Sequence, residues 1–158
     1  MSAETKRERG ESTIRAFREA DVAAVTEILR TSPEASQWTD WGFKELLGWR
    51  GVLALVSEHE RKVCGFIISR QVAEEAEILN LAVLVAKRRR GEGGALLKAA
   101  MEELRERKVS RVFLEVRESN EAGTAFYKRQ GFSKTGRRAG YYRDPDEAAI
   151  KMERRLAG

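Results

Sequence analysis

The sequence predicts an α/β protein of the α+β kind: a mixed, mostly antiparallel central sheet of about seven strands, flanked by about four helices. Three β-rich runs at 52–57, 63–72 and 76–85 are joined by short polar turns. Such short connections cannot make parallel crossovers, so these runs predict an antiparallel meander. A helix-like run at 92–107 separates them from another β-rich run at 109–116. That β-α-β unit predicts one parallel, right-handed strand pair.

The first third of the chain predicts a tail, a strand and two short helices. Residues 1–12 are polar and aperiodic, which predicts a disordered tail, and 13–17 alternate as a short strand. Asp21 can cap the first helix, and Thr39 or Asp40 can cap the second. The apolar positions at helical spacing are Val22, Val25, Ile28 and Leu29 in the first helix and Phe43, Leu46 and Leu47 in the second.

Two further helices follow the meander. The helix at 92–107 has an apolar stripe, which we expect to be buried. Its members are Leu96, Leu97, Ala100, Met101 and Leu104. Ser119 or Asn120 can cap the next helix, and Gly131 is expected to end it in the left-handed conformation.

The C-terminal segment predicts two strands around a loop. We expect a strand to start at 132–135, a loop over 136–146 and a last strand at 148–152. The chain contains neither internal repeats nor low-complexity stretches. We therefore expect one domain over 13–158 behind the tail.

The composition predicts a globular cytoplasmic protein. Of the 158 residues, 42% are apolar and 35% are charged, which suits one domain with a core. We find no apolar run near the ~20 residues that span a bilayer, and no signal peptide, so no membrane partner is expected. Cys64 is the only cysteine, and its apolar strand predicts a buried thiol in a reducing compartment. His59 is the only histidine, so we expect no metal site.

The net charge of +5 and the pI near 9.6 would suit a phosphate-bearing ligand, a nucleic acid or an acidic surface. The 25 acidic residues interleave with the 30 basic ones, which is typical of a mixed solvated surface. We therefore do not expect nucleic acid as the leading partner.

A basic, glycine-rich turn stands between the meander and the following helix. It reads Arg88-Arg89-Arg90-Gly91-Glu92-Gly93-Gly94. Strand, glycine turn and helix start are a geometry for binding phosphate, because glycines allow close approach and a helix N-terminus offers free N–H groups. The spacing matches neither a P-loop nor the dinucleotide fingerprint. The alternative is a flexible basic turn.

Other short motifs accompany this Arg-x-x-Gly-x-Gly pattern in order. They are Asn80-Leu81-Ala82-Val83, Leu114-Glu115-Val116-Arg117-x-x-Asn120, Ala125-Phe126-Tyr127-x-x-x-Gly131-Phe132, Arg137-Arg138-x-x-Tyr141-Tyr142 and Ala149-Ile150-x-Met152. The set resembles the GNAT superfamily of N-acetyltransferases, and within it the RimI-like branch, which acetylates the α-amino group of a ribosomal protein. The resemblance implies the GNAT fold, with strands splayed around an acetyl-CoA site and no metal.

The resemblance also implies where acetyl-CoA would bind. The pantetheine arm is expected along Leu81, Ala82 and Val83, with the N–H of Val83 as an oxyanion donor. Asn120 and Tyr127 are expected beside it. The pyrophosphate is expected on the turn formed by Arg88, Arg89, Arg90, Gly91, Glu92, Gly93 and Gly94.

The resemblance assigns catalysis to Glu115 as general base and Tyr127 as general acid. From the residues alone, Glu115 could instead form a salt bridge, Tyr127 could be a core residue, and Asn120 could be only a helix cap. The acceptor is expected to lie against Trp38, Arg138, Tyr141 and Tyr142. Packing aromatics and a solvated hairpin are the alternatives for these four.

Three functions are compatible with the sequence. The leading one is acetyl transfer to a protein or peptide N-terminus, including that of a ribosomal protein, by a monomer or homodimer. The second is acetylation of a small amine such as a polyamine, an amino acid or an aminoglycoside. The third is a non-catalytic basic module that binds RNA or the ribosome.

Overall fold

Seven strands form one mixed sheet in the computed structural model, which describes residues 12–85, 88, 91–143 and 146–156. The strands are β1 (Thr13–Ala16), β2 (Val52–His59), β3 (Lys62–Val72), β4 (Glu75–Val83), β5 (Arg111–Arg117), β6 (Ser133–Tyr142) and β7 (Glu147–Arg155). The helices are α1 (Val22–Arg30), α2 (Asp40–Leu47), α3 (Glu92–Glu106) and α4 (Glu121–Arg129). The sheet order is β1-β2-β3-β4-β5-β7-β6, and only β4–β5 is parallel within the described residues. The predicted fold class is confirmed.

The meander of β2, β3 and β4 has the tight turns that its short connections predict. Between β2 and β3, Glu60 and Arg61 both have positive φ, at 49° and 66°. His59 pairs with Lys62 across this two-residue turn. Two successive positive φ angles give the hairpin twist that matches antiparallel strands.

The crossover from β4 to β5 runs through α3 and confirms the predicted β-α-β unit. All five predicted stripe residues are buried. They pack against the sheet in a cluster that includes Ile78 of β4 and Leu114 of β5.

Two apolar cores lie on opposite faces of the sheet, since successive strand residues point to opposite sides. Ile67 belongs to the core under α3, whereas Phe66 and Ile68 belong to the core under α1 and α2. In the second core, Phe43 packs edge-on against Phe66 with ring centroids 5.8 Å apart. The described residues of that core include none from β5, β6 or β7, so it does not extend over these strands on the α1/α2 face.

Two helix starts follow the predicted capping chemistry. Thr39, rather than Asp40, is the N-cap of α2, and its Oγ1 accepts a hydrogen bond from the N–H of Gly42 at 3.1 Å. Asn120, rather than Ser119, is the N-cap of α4 and accepts from the N–H of Gly123 at 2.8 Å. Gly131 follows α4 with φ 91°, as predicted.

Asp21 precedes α1 as predicted, but its carboxylate does not cap that helix. A short 3₁₀ turn, Glu19–Asp21, leads into α1. The carboxylate of Asp21 instead accepts from the backbone N–H of Arg18 at 2.8 Å and from the guanidinium of Arg15 at 2.8 and 2.9 Å. The prediction of a side-chain cap was wrong because Arg15 of β1 competes for the same oxygens.

The predicted loop over 136–146 was wrong for most of its length. Residues 136–142 continue β6, which pairs with β7 from Ser133 to Tyr142 with two register shifts. β6 is an edge strand with exposed residues on both faces, so its sequence lacks the apolar alternation that marks a half-buried strand. Its backbone pairing does not depend on that alternation.

Of the predicted tail, residues 1–11 lie outside the described residues. Ser12 is buried, with its Oγ 3.7 Å from the Sγ of Cys64. Cys64 is itself buried, as predicted. In the described part of the chain, no helix is long and apolar enough to cross a membrane.

Candidate active site

A gap opens between β4 and β5 shortly after the two strands begin to pair. Their ladder contains Glu75–Arg111, Ala76–Val112 and Glu77–Phe113, and within the described residues it extends no further. Beyond that point β4 stays paired with β3, and β5 with β7. The two halves of the sheet therefore diverge, and we call the space between them the β4–β5 gap.

Backbone groups at the end of β4 face this gap. The N–H of Leu84 donates to the carbonyl of Cys64 on β3, on the side away from the gap. Amide directions alternate along a strand, so the N–H and C=O of Val83 point into the gap. An extended ligand placed there could pair with Leu81 and Val83 as a neighbouring strand would.

The N-terminus of α3 follows the end of β4. Gly91 is its N-cap, with φ 78°, and the first helical hydrogen bond runs from the N–H of Ala95 to the carbonyl of Gly91. The N–H groups in the first turn of a helix have no acceptor within the helix, so those of Gly93 and Gly94 could bind an anion.

The two glycines in the first turn of α3 are not required by the packing of the protein itself. A Cβ at Gly93 would lie 3.5 Å from the ring of Phe126, and one at Gly94 would lie 3.5 Å from Nε2 of Gln130. Both are ordinary contacts, and neither glycine has a positive φ. Such positions suit close approach of a ligand to the backbone.

Arg88 is bonded within the protein. Its Nε donates to the carbonyl oxygen of Val83 at 3.0 Å, and its Nη2 donates to Oγ of Ser32 at 3.0 Å and to Oε1 of Glu34 at 2.6 Å. The guanidinium thus joins the end of β4 to the segment between α1 and α2. Arg89 and Arg90 lie outside the described residues.

Tyr127 lies on α4 among aromatic rings of the α3 face. Its ring is 5.0 Å from that of Phe126 and 5.6 Å from that of Phe132, edge-on in both cases. Burial raises the pKa of its hydroxyl well above the ordinary value. The core contacts predicted as an alternative are therefore present, and the raised pKa keeps the hydroxyl protonated.

Glu115 lies on the uncovered half of the other face. Leu114 and Val116 belong to the core under α3, so Phe113 and Glu115 point to the α1/α2 side. The Glu115 side chain is 13% exposed, and its Oε1 accepts from Nη1 of Arg138 at 3.4 Å. Its Oε2 is buried without a hydrogen-bond partner in the described residues.

The aromatic residues of β6 border Glu115. Arg138 lies over the ring of Tyr141, whose pKa is raised by burial and by the charge of Glu115. Arg117 lies 4.1 Å from the centroid of the Tyr142 ring, and burial together with the charges of Tyr141 and Glu115 raises the pKa of Tyr142 to about 12. Three predicted acceptor residues are thus brought together with Glu115.

Comparison with known proteins decides the family. The model of the acetyltransferase (GNAT) family matches residues 22–132. The ribosomal protein bS18-alanine N-acetyltransferase of Escherichia coli strain K12 is 34% identical over 143 residues, which are 89% of this chain and 95% of that protein. The chain belongs to the acetyltransferase (GNAT) family. The resemblance to the RimI-like branch is confirmed, and the acetyl donor of this family is acetyl-CoA.

Solved structures show the same fold for this acetyltransferase. The crystal structure of the E. coli ribosomal-protein-S18-alanine N-acetyltransferase is similar with a TM-score of 0.81 at 32% identity, covering 93% of this chain and 96% of that one. Ard1 from Thermoplasma volcanium is similar with a TM-score of 0.85 at 32% identity, covering 94% and 99%.

The fourth predicted acceptor residue of the acetyltransferase, Trp38, makes the packing contacts that were its alternative interpretation, and its acceptor role stays a prediction. Its ring lies edge-on against Phe43 with centroids 5.2 Å apart, beside the α1/α2 core. The segment before it is held by Asn80 of β4, whose Nδ2 donates to the carbonyl of Ser36 at 2.8 Å.

One carboxylate of the acetyltransferase, Glu77, was missed by sequence reasoning. It lies on β4 at the last residue pair before the gap. Its signal in the sequence was a charged residue inside the strand pattern Glu75-Ala76-Glu77-Ile78.

Proposed function

We propose that this acetyltransferase transfers the acetyl group of acetyl-CoA to the N-terminal α-amine of a cytoplasmic protein, with a ribosomal protein as the first class of acceptor to test. The observation that carries the proposal is the position of Glu115. It is a largely buried carboxylate beside the β4–β5 gap, and one of its oxygens has no hydrogen-bond partner among the residues that the structure describes. The name of the E. coli relative, a ribosomal protein bS18-alanine N-acetyltransferase, supports the choice of acceptor.

In the proposed reaction, Glu115 accepts a proton from the acceptor ammonium. The neutral amine then attacks the thioester carbon, and the N–H of Val83 donates a hydrogen bond to the developing oxyanion. The C–S bond breaks, and the hydroxyl of Tyr127 gives its proton to the departing thiolate. The adduct nitrogen loses its second proton as the amide forms, and that proton restores the Tyr127 hydroxyl through water. Burial raises the pKa of Tyr127, so the hydroxyl is protonated before the reaction; the same shift makes it a weaker acid, so its proton moves only as negative charge develops on the sulfur.

Acetyl-CoA binding is proposed for the backbone around the gap. Leu81, Ala82 and Val83 would hold the pantetheine arm by strand-like pairing. The turn from Gly91 to Gly94, with the N–H groups of Gly93 and Gly94, would hold the pyrophosphate at the helix N-terminus, where Glu92 begins α3. Gly91 would permit the turn, and Arg88 would hold it against the end of β4. Asn120 would fix the start of α4 nearby. Arg89 and Arg90 would add positive charge.

The acceptor would approach across the uncovered face of β5 and β6. Arg138, at 62% exposure, and the partly exposed Tyr141 border Glu115 there, and the ring of Tyr142 lies edge-on to that of Tyr141 with centroids 4.9 Å apart. This surface is an open sheet face. Such a face suits the end of a polypeptide, whereas a small amine would need an enclosed pocket. Backbone groups of an extended N-terminus could pack along it.

The proposal is tested by acetyl transfer from acetyl-CoA, followed by thiol release and mass spectrometry. The acceptors are a panel of peptides with free α-amines and a set of small amines. The control peptides have blocked N-termini and contain internal lysines. We expect acetylation of the free α-amine peptides only. Turnover confined to small amines would overturn the assigned acceptor. Acetyl-CoA binding without turnover of any acceptor would contradict the assignment as well.

A further inference from the structure

Glu77 and Glu115 share one face of the sheet at the mouth of the β4–β5 gap. Ile78 belongs to the core under α3, so its neighbour Glu77 points to the α1/α2 face. Glu77 pairs with Phe113 across the parallel ladder, and Glu115 lies two residues further along β5 on the same side. The two carboxylates are therefore diagonal neighbours where the strands part.

Glu77 is partly buried and forms no ion pair in the described residues. Burial and the charge of Glu115 raise its pKa, and Lys151 opposes them. Among the described residues, the other charged or titratable groups on or beside this face include Arg70 on β3, Glu75 on β4, Arg111 and Arg117 on β5, Arg138, Tyr141 and Tyr142 on β6, and Glu147 and Glu153 on β7.

A pocket leads from Glu77 to solvent. It has a volume of about 180 Å³ and is lined by Arg70, Val72, Glu75, Glu77 and Phe113. Val72 is 68% exposed, so the outer end of the pocket is open. Glu77 therefore connects the mouth of the gap to water on the side away from β6.

The chemistry requires a route for one proton. The acceptor ammonium loses two protons from nitrogen as the N–C bond forms. One of these protons replaces the proton that Tyr127 gives to the CoA sulfur. The other must reach solvent in each turnover. An acceptor polypeptide bound across β5 and β6 would cover Glu115 from its open side.

We propose that Glu77 accepts this proton from Glu115 and releases it to water through the pocket between β3, β4 and β5. The inference rests on the proposed function. In this step the O–H bond on Glu115 breaks as an O–H bond on Glu77 forms, directly or through one water molecule. Glu77 acts through Glu115, so it is a relay residue and does not touch the acceptor.

The chain offers a matched control in Glu75. This residue lies on the same face of the same strand and lines the same pocket. Its carboxylate, however, is ion-paired with Arg111 and is 48% exposed. Glu75→Gln therefore removes a charge from the pocket without removing the neighbour of Glu115.

The first experiment measures kcat and KM against pH for wild type, Glu77→Gln and Glu75→Gln with an acetylatable peptide. Glu77→Gln is expected to lower kcat about tenfold, with an unchanged KM for acetyl-CoA. Its pH profile is expected to lose the contribution of the Glu77 carboxyl, whose pKa is raised by burial and by the charge of Glu115. Glu75→Gln is expected to behave as wild type. Equal losses in both variants, or a wild-type profile for Glu77→Gln, would overturn the relay.

A second experiment separates proton transfer from a packing role. Glu77→Ala is assayed in sodium formate and in sodium chloride of equal ionic strength. A small acid that enters the vacated pocket should restore several-fold of the lost rate, whereas chloride should not. No difference between the two salts would contradict the relay. An inactive wild type on every peptide would instead contradict the proposed function, so the two failures can be told apart.

Discussion

The Nε of Arg88 donates to the carbonyl oxygen of Val83 at 3.0 Å, so the arginine of the phosphate turn holds the strand end that borders the β4–β5 gap. The same guanidinium reaches Ser32 and Glu34 between α1 and α2. In this structure the charge of Arg88 is directed into the protein. Its contribution to acetyl-CoA binding is therefore expected to act through the backbone of Val83.

Replacing Arg88 should weaken acetyl-CoA binding by loosening the end of β4. Because the side chain is about one-third exposed, we expect Arg88→Ala to raise the KM for acetyl-CoA only about fivefold. Steady-state kinetics at low and high ionic strength measure this. The loss should be similar at both, since salt does not screen a positional effect as it screens a direct phosphate contact.

The control for this variant is Glu34→Gln. It removes the exposed ion pair at 2.6 Å but leaves the bond from Arg88 to Val83 in place. An exposed pair contributes little, so the KM should change by less than about twofold. If Glu34→Gln and Arg88→Ala weaken binding equally, the bond to Val83 is unimportant.

The two proposed catalytic side chains should be essential in different ways. Glu115→Gln and Tyr127→Phe are each expected to lower kcat by about 10²-fold or more, since each removes one proton-transfer group. Peptide acetylation and acetyl-CoA binding are measured in parallel, and binding should persist in both variants. Wild-type turnover in either would remove that residue from the mechanism.

The glycines at the start of α3 provide a test of ligand contact that does not disturb folding. An added Cβ at Gly93 makes only ordinary contacts, and alanine is the better helix former. Gly93→Ala should therefore keep or raise the melting temperature while it weakens acetyl-CoA binding by about tenfold, because the backbone can no longer be approached closely. Binding is followed by calorimetry.

Gly136→Ala is the matched control for this methyl group. Its nearest neighbour would be Cβ of Lys151 at 3.9 Å, and the position lies on the edge strand β6. Both stability and acetyl-CoA affinity should stay at wild-type values. An unchanged affinity in Gly93→Ala would exclude close contact between the pyrophosphate and this turn.

Local patterns predicted most of the architecture, because buried helix faces show a regular spacing of apolar residues and tight turns show short polar connections. The stripe from Leu96 to Leu104 and the short turn at Glu60 and Arg61 both formed as expected. The extent of β6 was missed because an edge strand with two exposed faces has no alternation of apolar and polar residues. Its pairing with β7 depends on the folded sheet and not on the local sequence.

The residues of the site could be predicted only where they belong to a sequence motif. Glu115 was found through its motif, but its partner Arg138 lies 23 residues further along the chain and is brought to it only by the sheet order β5-β7-β6. The inward direction of Arg88 and the proximity of Glu77 to Glu115 likewise depend on the tertiary fold. Residue type and spacing contain neither.

The ion pair between Arg15 and Asp21 should make stability depend on pH. Burial by itself raises the pKa of Asp21, but bonds from Arg15 and from the N–H of Arg18 outweigh it, so the pKa lies below its ordinary value. A carboxyl with a lowered pKa in the folded state stabilises the fold above its unfolded pKa of about 3.9. That contribution is lost as the pH falls through the folded pKa.

Asp21→Asn should therefore lower the free energy of unfolding at neutral pH by about 2 to 3 kcal/mol, since Arg15 is only 10% exposed and would lose its main partner. Its stability should also fall less steeply than that of wild type below about pH 4. Urea unfolding over a pH series measures both effects. Glu27→Gln, which breaks the exposed pair with Arg30 on α1, is the control and should change stability by less than about 0.5 kcal/mol. Parallel pH curves for wild type and Asp21→Asn would show that Asp21 is not the group responsible.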